Sequence, residues 1–256
     1  MKAVILAGGR GTRLSRVTHN KMPKPMAELA GRPVLEHIVL LLAHHGFRDI
    51  CCTLACMPEM IRNHFGSGRS FGVHMEYRVE TQPLGTAGAV KNCRDFYGDE
   101  PFLIISGDAA CDFDLGFLYK THCRAKNAVT MALFPHDAPT PYGLVLTDRE
   151  NRVRQFLEKP RWEQVVTDLV NTGIYIMNPS AMAQVPENTP CDFGKDLFPR
   201  LLAQGKNSWG FPCRDTGGIL GIRPPITGPI WTRRRADCSC SPSLQSPCRL
   251  QQKLPR

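Results

Sequence analysis

The sequence lacks any apolar run long enough to cross a membrane. A transmembrane helix needs about 18 to 20 consecutive apolar residues, and none of the 256 residues falls in such a run. The stretch before the first glycine, residues 1–7, is too short for a signal peptide, and no small-residue cleavage pattern follows it. We therefore expect no membrane partner and a cytoplasmic location, where thiols stay reduced.

Metal-ligand spacing is also missing, although the chain contains 11 cysteines. Zinc sites combine closely spaced cysteine pairs with each other or with histidines, and the sequence has no such combination. We expect the seven cysteines before residue 213 to be small buried hydrophobic residues rather than metal ligands.

Net positive charge is small over most of the chain and concentrated at one end. Residues 213–256 hold eight basic and two acidic residues, so they carry +6 of the formal net charge of +9. Residues 1–212 carry only +3, which argues against a uniformly basic nucleic-acid-binding protein, and we expect no nucleic-acid partner. The shift in composition predicts a folded domain over 1–212 and an aberrant, disordered tail over 213–256.

Strand-like and helix-like stretches alternate up to about residue 205. FLIIS and AVTMALF are apolar runs typical of buried strands, whereas Pro58–Phe65, Thr86–Phe96, Leu115–Ala125 and Asp192–Gln204 have helical character. The alternation predicts an α/β fold with a doubly wound, mixed but mostly parallel sheet. Three strand-like runs within Tyr142–Met177 predict a small antiparallel portion folded over that sheet.

The first strand opens into a glycine loop that matches neither of two common phosphate-binding patterns. Leu14 stands where the dinucleotide pattern G-x-G-x-x-G has its third glycine, and the Lys-Ser or Lys-Thr pair of the P-loop is missing. The three glycines of GGRG still let main-chain N–H groups approach phosphate oxygens. Arg13 and Lys24 would supply the countercharge. We interpret the segment as a polyphosphate-binding loop; a tight turn with solvated arginines is the alternative.

Residues 7–26, AGGRGTRLSRVTHNKMPKPM, resemble the signature of the sugar-1-phosphate nucleotidyltransferases. That signature usually reads G-G-x-G-T-R-L-x-P-x-T followed by P-K-P, and Arg16 stands here at its proline. The resemblance continues in order through ETQPLGTAGAV, FLIISGD, YGLVLT, FLEKP, LVNTGIYIMNP and DFGKDLFPRLL, and it covers residues 1–212. It is greatest to the mannose-1-phosphate guanylyltransferase-like branch.

The resemblance implies a Rossmann-like fold and transfer of a nucleoside monophosphate from an NTP to a sugar 1-phosphate, with release of pyrophosphate. The favoured substrates are GTP and mannose 1-phosphate, with Mg²⁺ as cofactor, and a homo-oligomer is compatible with the resemblance. Because the attacking phosphate is already anionic, catalysis requires positioning and charge neutralisation rather than a protein nucleophile. Two alternatives are uridylyl or thymidylyl transfer to glucose 1-phosphate and a nucleotide-sugar-binding relative with impaired turnover.

The motifs that match imply a role for each site residue. Arg13 and Lys24 are the expected catalytic residues. The expected nucleotide-binding residues are Leu6, Ala7, Gly8, Gly9, Gly11, Thr12, Glu80 and Gly85. The expected sugar-phosphate-binding residues are Gly143, Glu158, Lys159, Asn171 and Gly173. Asp108 ends a central strand and is the expected Mg²⁺ ligand, because a hard oxygen at the carboxyl edge of the sheet suits that ion.

Three acidic residues have alternative interpretations. The Glu80 carboxylate would suit the N1–H and N2–H₂ groups of guanine better than the single N3–H of thymine; a solvated glutamate before a helix is the alternative. Glu158 and Lys159 could equally form an ordinary surface ion pair. Asp114 precedes an apolar helix, which favours a role as its N-cap over a role as a metal ligand.

The end of the chain departs from the pattern. Family members normally continue with G-Y-W-x-D-I-G, whose aspartate supplies a second metal ligand. Permitted codons for Cys213–Pro229 can be chosen so that reading from the third base gives PGYWRDIGHPAAYHRA, which contains that segment. We hypothesise that a frameshift replaced the native end from about residue 213; the alternative is that Asp215 is a diverged metal ligand. The cysteines and the Arg233–Arg235 run of the tail lack the spacing of a zinc or nucleic-acid module.

Overall fold

The computed structural model describes residues 1–9 and 22–213, all of which belong to one compact unit. Gly11, Thr12, Arg13 and Asp215 lie outside the described residues, as does the tail after residue 213. Their expected roles, and the division of the chain at residue 212, therefore stay predictions.

Nine strands of the described part form one mixed sheet. They are β1 (Lys2–Leu6), β4 (Asp49–Leu54), β5 (His74–Val79), β6 (Phe102–Ser106), β7 (Val129–Pro135), β8 (Gly143–Thr147), β9 (Val153–Glu158), β10 (Leu169–Met177) and β11 (Ser208–Pro212), and a separate small hairpin comprises β2 (Glu28–Leu29) and β3 (Arg32–Pro33). The order across the sheet is β11-β7-β10-β6-β1-β4-β5, with β8 paired to β10 and to β9. Strands β6, β1, β4 and β5 are mutually parallel, which confirms the predicted α/β class.

Helices and helical turns connect the strands. The helices are α1 (Val34–His44), α2 (Pro58–Phe65), α3 (Gly85–Lys91), α4 (Arg94–Tyr97), α5 (Leu115–Ala125), α6 (Pro179–Met182) and α7 (Phe198–Ala203). Short 3₁₀ turns occur at Lys24–Met26, Arg69–Phe71 and Trp162–Gln164, and a π-helical turn occurs at Phe193–Leu197. The predicted bounds of α2 and α5 are confirmed, and Asp114 caps α5 by accepting a hydrogen bond from the Phe117 N–H at 2.8 Å.

Two predicted helices are interrupted. The helix predicted over Thr86–Phe96 divides into α3 and α4 at Asn92 and Cys93, where the Cys93 N–H bonds the Val90 carbonyl, three residues back, at 2.9 Å. The helix predicted over Asp192–Gln204 begins as a π-helical turn before α7. Pro199 lacks the N–H that would continue regular pairing at this junction.

The sheet carries a hydrophobic core on each face. Ala3 and Ile5 of β1 pack in one buried cluster, whereas Val4 between them packs in the other. Alternate residues of a strand point to opposite faces, so this division shows that both faces of β1 are covered. The continuous apolar runs in the sequence have the same origin, because a strand buried on both faces needs no polar alternation.

The antiparallel portion differs from its prediction in one respect. Strand β10 does not fold over the main sheet but lies within it, antiparallel to both β6 and β7. Only β8 and β9 extend outside the main row of strands, attached to β10 through Val170 and Leu144. The run IYIM at the end of β10 is buried, and this accounts for its central place in the sheet.

Four of the seven cysteines before residue 213 are buried as predicted, and three are not. Cys51, Cys52, Cys93 and Cys191 are buried, Cys56 and Cys111 are partly buried, and Cys123 is exposed. Burial raises the pKa of the Cys111 thiol to about 12. Within the described ranges, no helix has both the length and the apolar character needed to span a bilayer.

Candidate active site

Three segments converge at the carboxyl end of β1 and β6. The Gly107 N–H donates to the Leu6 carbonyl at 2.8 Å. A Cβ atom at Gly107 would lie 3.1 Å from that carbonyl and 3.2 Å from both the Ala7 Cβ and the Pro25 Cγ. Glycine at residue 107 therefore favours close packing between the start of the glycine loop, the S-G-D turn and the P-K-P segment. Open α/β sheets place their ligand sites at this edge.

Lys24 and Asp108 form an ion pair at this edge. The Lys24 ammonium group contacts Asp108 Oδ2, and the Ser106 hydroxyl donates to Asp108 Oδ1 at 2.6 Å. Lys24 begins a 3₁₀ turn that contains the buried Pro25, which restricts the backbone on which Lys24 stands. The two charged side chains retain 27% and 30% exposure, so both remain accessible from solvent.

Glu80 borders the same loop from the end of β5. A Cβ at Gly8 would lie 2.8 Å from Glu80 Oε1, so only glycine leaves the carboxylate in this place. The Leu84 N–H lies 3.4 Å from Glu80 Oε2. Burial raises the pKa of Glu80, and the Leu84 N–H opposes that shift. Glu80 is thus half-buried beside Gly8 rather than a fully solvated residue before a helix.

Gly85 begins α3 with φ of +70°, a conformation that favours glycine. A Cβ here would lie 2.5 Å from the Cys191 carbonyl oxygen, which accepts hydrogen bonds from the Ala87 and Gly88 N–H groups at 2.9 and 3.1 Å. The structure therefore explains Gly85 by packing against Cys191. Its contact with a nucleotide base stays a prediction.

Glu158 lies at the end of β9, directly across from Gly143 on β8. A Cβ at Gly143 would lie 2.9 Å from Glu158 Oε2, and a Cβ at Gly194 would lie 2.8 Å from the same oxygen. The carboxylate therefore occupies a slot between two glycines. Lys159 follows with φ of +45° and Nζ 3.7 Å from Glu158 Oε1, which is a loose ion pair.

Asn171 and Gly173 lie on β10 where its pairing with β7 is irregular. Asn171 Oδ1 accepts hydrogen bonds from the Gly173 N–H at 3.1 Å and from the Tyr175 hydroxyl at 2.8 Å. Gly173 has φ of +77°, and a Cβ there would lie 3.3 Å from the Ser106 Cβ. Ser106 in turn bonds Asp108, so the β10 irregularity borders the Lys24–Asp108 pair.

Sequence reasoning missed several residues that organise this edge: Thr86, Ser106, Gly107, Asp192 and Gly194. The Asp192 signal was present, because an aspartate before a short helical segment is a typical N-cap. Its carboxylate accepts from the Gly194 and Lys195 N–H groups at 2.9 and 3.2 Å. No sequence pattern indicated the contacts of the other four.

The side chains at this edge could hold a Mg²⁺ ion through a single carboxylate, that of Asp108. Within residues 1–9 and 22–213, no group of three or more His, Cys, Asp or Glu side chains comes together as a metal site. Asp108 offers one partly exposed carboxylate, whose Oδ2 contacts the Lys24 ammonium group. One carboxylate completed by substrate phosphates and water is a common way of holding Mg²⁺. Asp108 is therefore compatible with the expected ligand role.

The fold and site together define a mixed α/β protein with a Lys–Asp pair at the edge of its sheet, beside the first strand. The family model described as nucleotidyl transferase matches residues 2–231, and the chain belongs to this family. A UTP–glucose-1-phosphate uridylyltransferase from Synechocystis is 36% identical over 219 residues, which are 80% of this chain and 56% of the relative. A mannose-1-phosphate guanylyltransferase from Mycobacterium tuberculosis is 34% identical over 203 residues, 79% of this chain and 56% of the relative.

A solved structure is also similar. HddC from Yersinia pseudotuberculosis, complexed with GMP-PN, superposes with a TM-score of 0.69 at 27% identity, covering 82% of this chain and 89% of the other. The chain spans a little over half the length of the curated relatives that it matches.

Proposed function

We propose that this chain transfers a nucleoside monophosphate from an NTP to a sugar 1-phosphate and releases pyrophosphate. The observation that carries the proposal is the Lys24–Asp108 pair, since Pro25 and Gly107, which adjoin these two residues, pack against Leu6 and Ala7 where the glycine loop begins. A cation held in advance beside a phosphate-binding loop stabilises charge in the transition state without having to reorganise.

Each expected site residue would have a separate role in the reaction. Lys24 would donate to oxygens of the α-phosphate and of the incoming sugar phosphate, and Arg13 would neutralise the outer phosphates. Gly8, Gly9 and Gly11 would present main-chain N–H groups to the triphosphate. Holding the two phosphates in line supplies much of the rate enhancement in such reactions. Mg²⁺ bound at Asp108 would neutralise charge on the phosphates.

GTP is the nucleotide that we favour, because Glu80 supports it. A half-buried carboxylate beside Gly8 can accept two N–H groups from one base edge, and guanine offers two there. The 34% identical guanylyltransferase is consistent with this choice, and the 36% identical uridylyltransferase makes UTP the second candidate.

Mannose 1-phosphate is the sugar substrate that we favour. Glu158 would accept hydrogen bonds from sugar hydroxyls, and Lys159 would pair with the phosphate. The Asn171 oxygen is engaged by Gly173 and Tyr175, so its amide nitrogen would be the group that donates to the substrate.

A pyrophosphate-release screen tests the proposal. GTP, UTP, CTP and dTTP are each incubated with mannose, glucose and heptose 1-phosphates and Mg²⁺, and we expect release with GTP and mannose 1-phosphate. Release only with UTP or dTTP and glucose 1-phosphate would retain the reaction class and reject the guanylyl assignment. Nucleotide binding by calorimetry without release in any combination would reject the enzyme and favour a nucleotide-sugar-binding protein.

A further inference from the structure

A four-residue segment, Cys191–Gly194, lies between the residues expected to bind the nucleotide and those expected to bind the sugar 1-phosphate. On one side it contacts the α3 start, where the nucleotide is expected. The Cys191 N–H donates to the Leu84 carbonyl at 2.8 Å, and the Cys191 carbonyl accepts from Ala87 and Gly88. The segment is therefore bonded along the main chain to the loop that follows Glu80.

Thr86 and Asp192 strengthen this attachment through side chains. The Thr86 hydroxyl donates to Asp192 Oδ2 at 2.9 Å and accepts from the Phe193 N–H, also at 2.9 Å. The other Asp192 oxygen caps the π-helical turn. One hydroxyl thus fixes both the carboxylate and the main chain of the segment, and a methyl group in its place would leave both without that partner.

On its other side the segment contacts the residues expected to bind the sugar phosphate. Gly194 leaves room for Glu158 Oε2, since a Cβ would lie 2.8 Å from that oxygen and 3.0 Å from the Phe156 ring. The Phe193 ring lies 5.3 Å from the ring of Tyr175, whose hydroxyl donates to Asn171. The segment therefore borders Glu158 directly and Asn171 through the Tyr175 side chain.

We propose that Cys191–Gly194 is a positioning segment that determines the affinity for the sugar 1-phosphate, with the Thr86–Asp192 hydrogen bond as its attachment to the nucleotide side. This inference rests on the proposed function. A change at Thr86, on the nucleotide loop, is transmitted to Glu158 and Asn171 through Phe193 and Gly194. Neither Thr86 nor Asp192 needs to touch the sugar phosphate.

The decisive comparison is Thr86→Val against Thr86→Ser. Valine keeps the size and shape of threonine but replaces the hydroxyl with a methyl group, whereas serine keeps the hydroxyl and loses the methyl group. Calorimetry on the full chain with Mg²⁺ measures the Kd of mannose 1-phosphate after saturation with guanosine 5′-(α,β-methylene)triphosphate, whose carbon bridge blocks transfer. We expect Thr86→Val to raise that Kd about tenfold and Thr86→Ser to change it less than about twofold.

Gly194→Ala provides a second test that does not depend on Thr86. We expect it to raise the Kd of mannose 1-phosphate about tenfold while the Kd of the nucleotide analogue stays within about twofold. Lys195→Ala is the matched control, because it keeps the π-helical turn and removes only an exposed side chain. Thermal unfolding identifies any variant that does not fold. If Thr86→Val or Gly194→Ala fails to fold, the other variant tests the positioning role.

The outcomes separate this inference from the function on which it rests. If the unaltered chain binds both ligands but Thr86→Val changes only the nucleotide affinity, or Gly194→Ala leaves the sugar phosphate affinity unchanged, the positioning role is wrong and the function stands. If the unaltered chain binds neither an NTP analogue nor any sugar 1-phosphate of the screen, the proposed function is wrong, and the inference is overturned with it.

Discussion

Lys24 and Asp108 come from separate segments, yet each limits where the other can lie. Asp108 is bonded by Ser106 on one oxygen and paired with Lys24 on the other. The ammonium group is therefore held at the edge of the sheet before any substrate arrives. Such a group contributes more to a charged transition state than to the ground state, because its orientation does not change on the way.

Replacing Lys24 by alanine is expected to reduce kcat about 10²- to 10³-fold. The Kd of the NTP should change by less than about tenfold, since the glycine loop retains its own N–H donors. Steady-state kinetics and calorimetry on the same preparation measure the two effects. Lys195→Ala, which removes an exposed lysine elsewhere, is the control, and equal losses in kcat and affinity would show that Lys24 only binds.

Glu80 is expected to lower stability at neutral pH. Burial raises its pKa above the ordinary 4.5, so the folded protein holds this proton more tightly than the unfolded chain does. The resulting penalty is absent below the ordinary pKa and develops as the pH rises through the raised one. Glu80→Gln should therefore increase the free energy of unfolding at pH 7 by less than about 1 kcal/mol, because the side chain is only half-buried.

Urea denaturation at about pH 7 and about pH 4 measures the effect, and the gain should vanish at the lower pH. A variant that is less stable than the wild type at pH 7 would contradict the burial argument. The same variant should bind GTP more weakly relative to UTP, because an amide nitrogen next to guanine donors cannot accept their protons.

The sequence indicated many of these side chains but few of their contacts. Asp108 could be placed because it follows an apolar strand, and open α/β sheets carry their sites at the carboxyl ends of such strands. Glu80 was assigned from its place in the motif ETQPLGTAGAV. The slot for Glu158 could not be foreseen, because Gly194 approaches it from a distant part of the chain. Thr86 and Asp192 are 106 residues apart, and no local pattern reports such a contact.

Among the helices, α5 shows how much a local signal determines. Asp114 was expected to cap this helix, and its Oδ1 accepts from the Phe117 N–H. The π-helical turn also lies next to a local signal, because Pro199 at the start of α7 lacks the N–H of a regular helix. The α3–α4 break at Asn92 and Cys93 had no comparable signal in the sequence.

Asp114→Ala is expected to lower the free energy of unfolding by about 1 kcal/mol. The Phe117 N–H would lose its acceptor, whereas Asp114→Asn keeps an oxygen in place and should cost only a few tenths of that amount. Urea denaturation of both variants provides the comparison. Equal stability of alanine and asparagine variants would show that the cap contributes nothing.

For the chain as a whole, the composition boundary near residue 212 separates the part that follows the family signature from the part that departs from it. Strand β11 ends at Pro212, and the Cys213 N–H still bonds the Leu133 carbonyl at 2.8 Å. The family model extends its match to residue 231, past that boundary. The sequence departs from the G-Y-W-x-D-I-G pattern in the same interval.

A chain in which PGYWRDIGHPAAYHRA replaces the residues from 213 onward is expected to turn over faster than the chain as written. The added aspartate would give Mg²⁺ a second carboxylate, while the nucleotide affinity of the Lys24 edge should change little. The pyrophosphate assay compares the two chains, and a third chain with Asp215→Ala tests the alternative ligand. Equal turnover of the first two, with loss in the third, would favour Asp215 and oppose the frameshift.

The place of β10 has a consequence for synthesis on the ribosome. Strand β6 emerges first, and its antiparallel neighbour follows only after roughly 60 further residues, or several seconds at ordinary elongation rates. During that interval one hydrogen-bonding edge of an apolar strand has no partner from its own sheet. While the residues from Ser106 to Leu169 are being synthesised, this edge of β6 is open to pairing with other molecules, and a holdase chaperone would protect it during that interval.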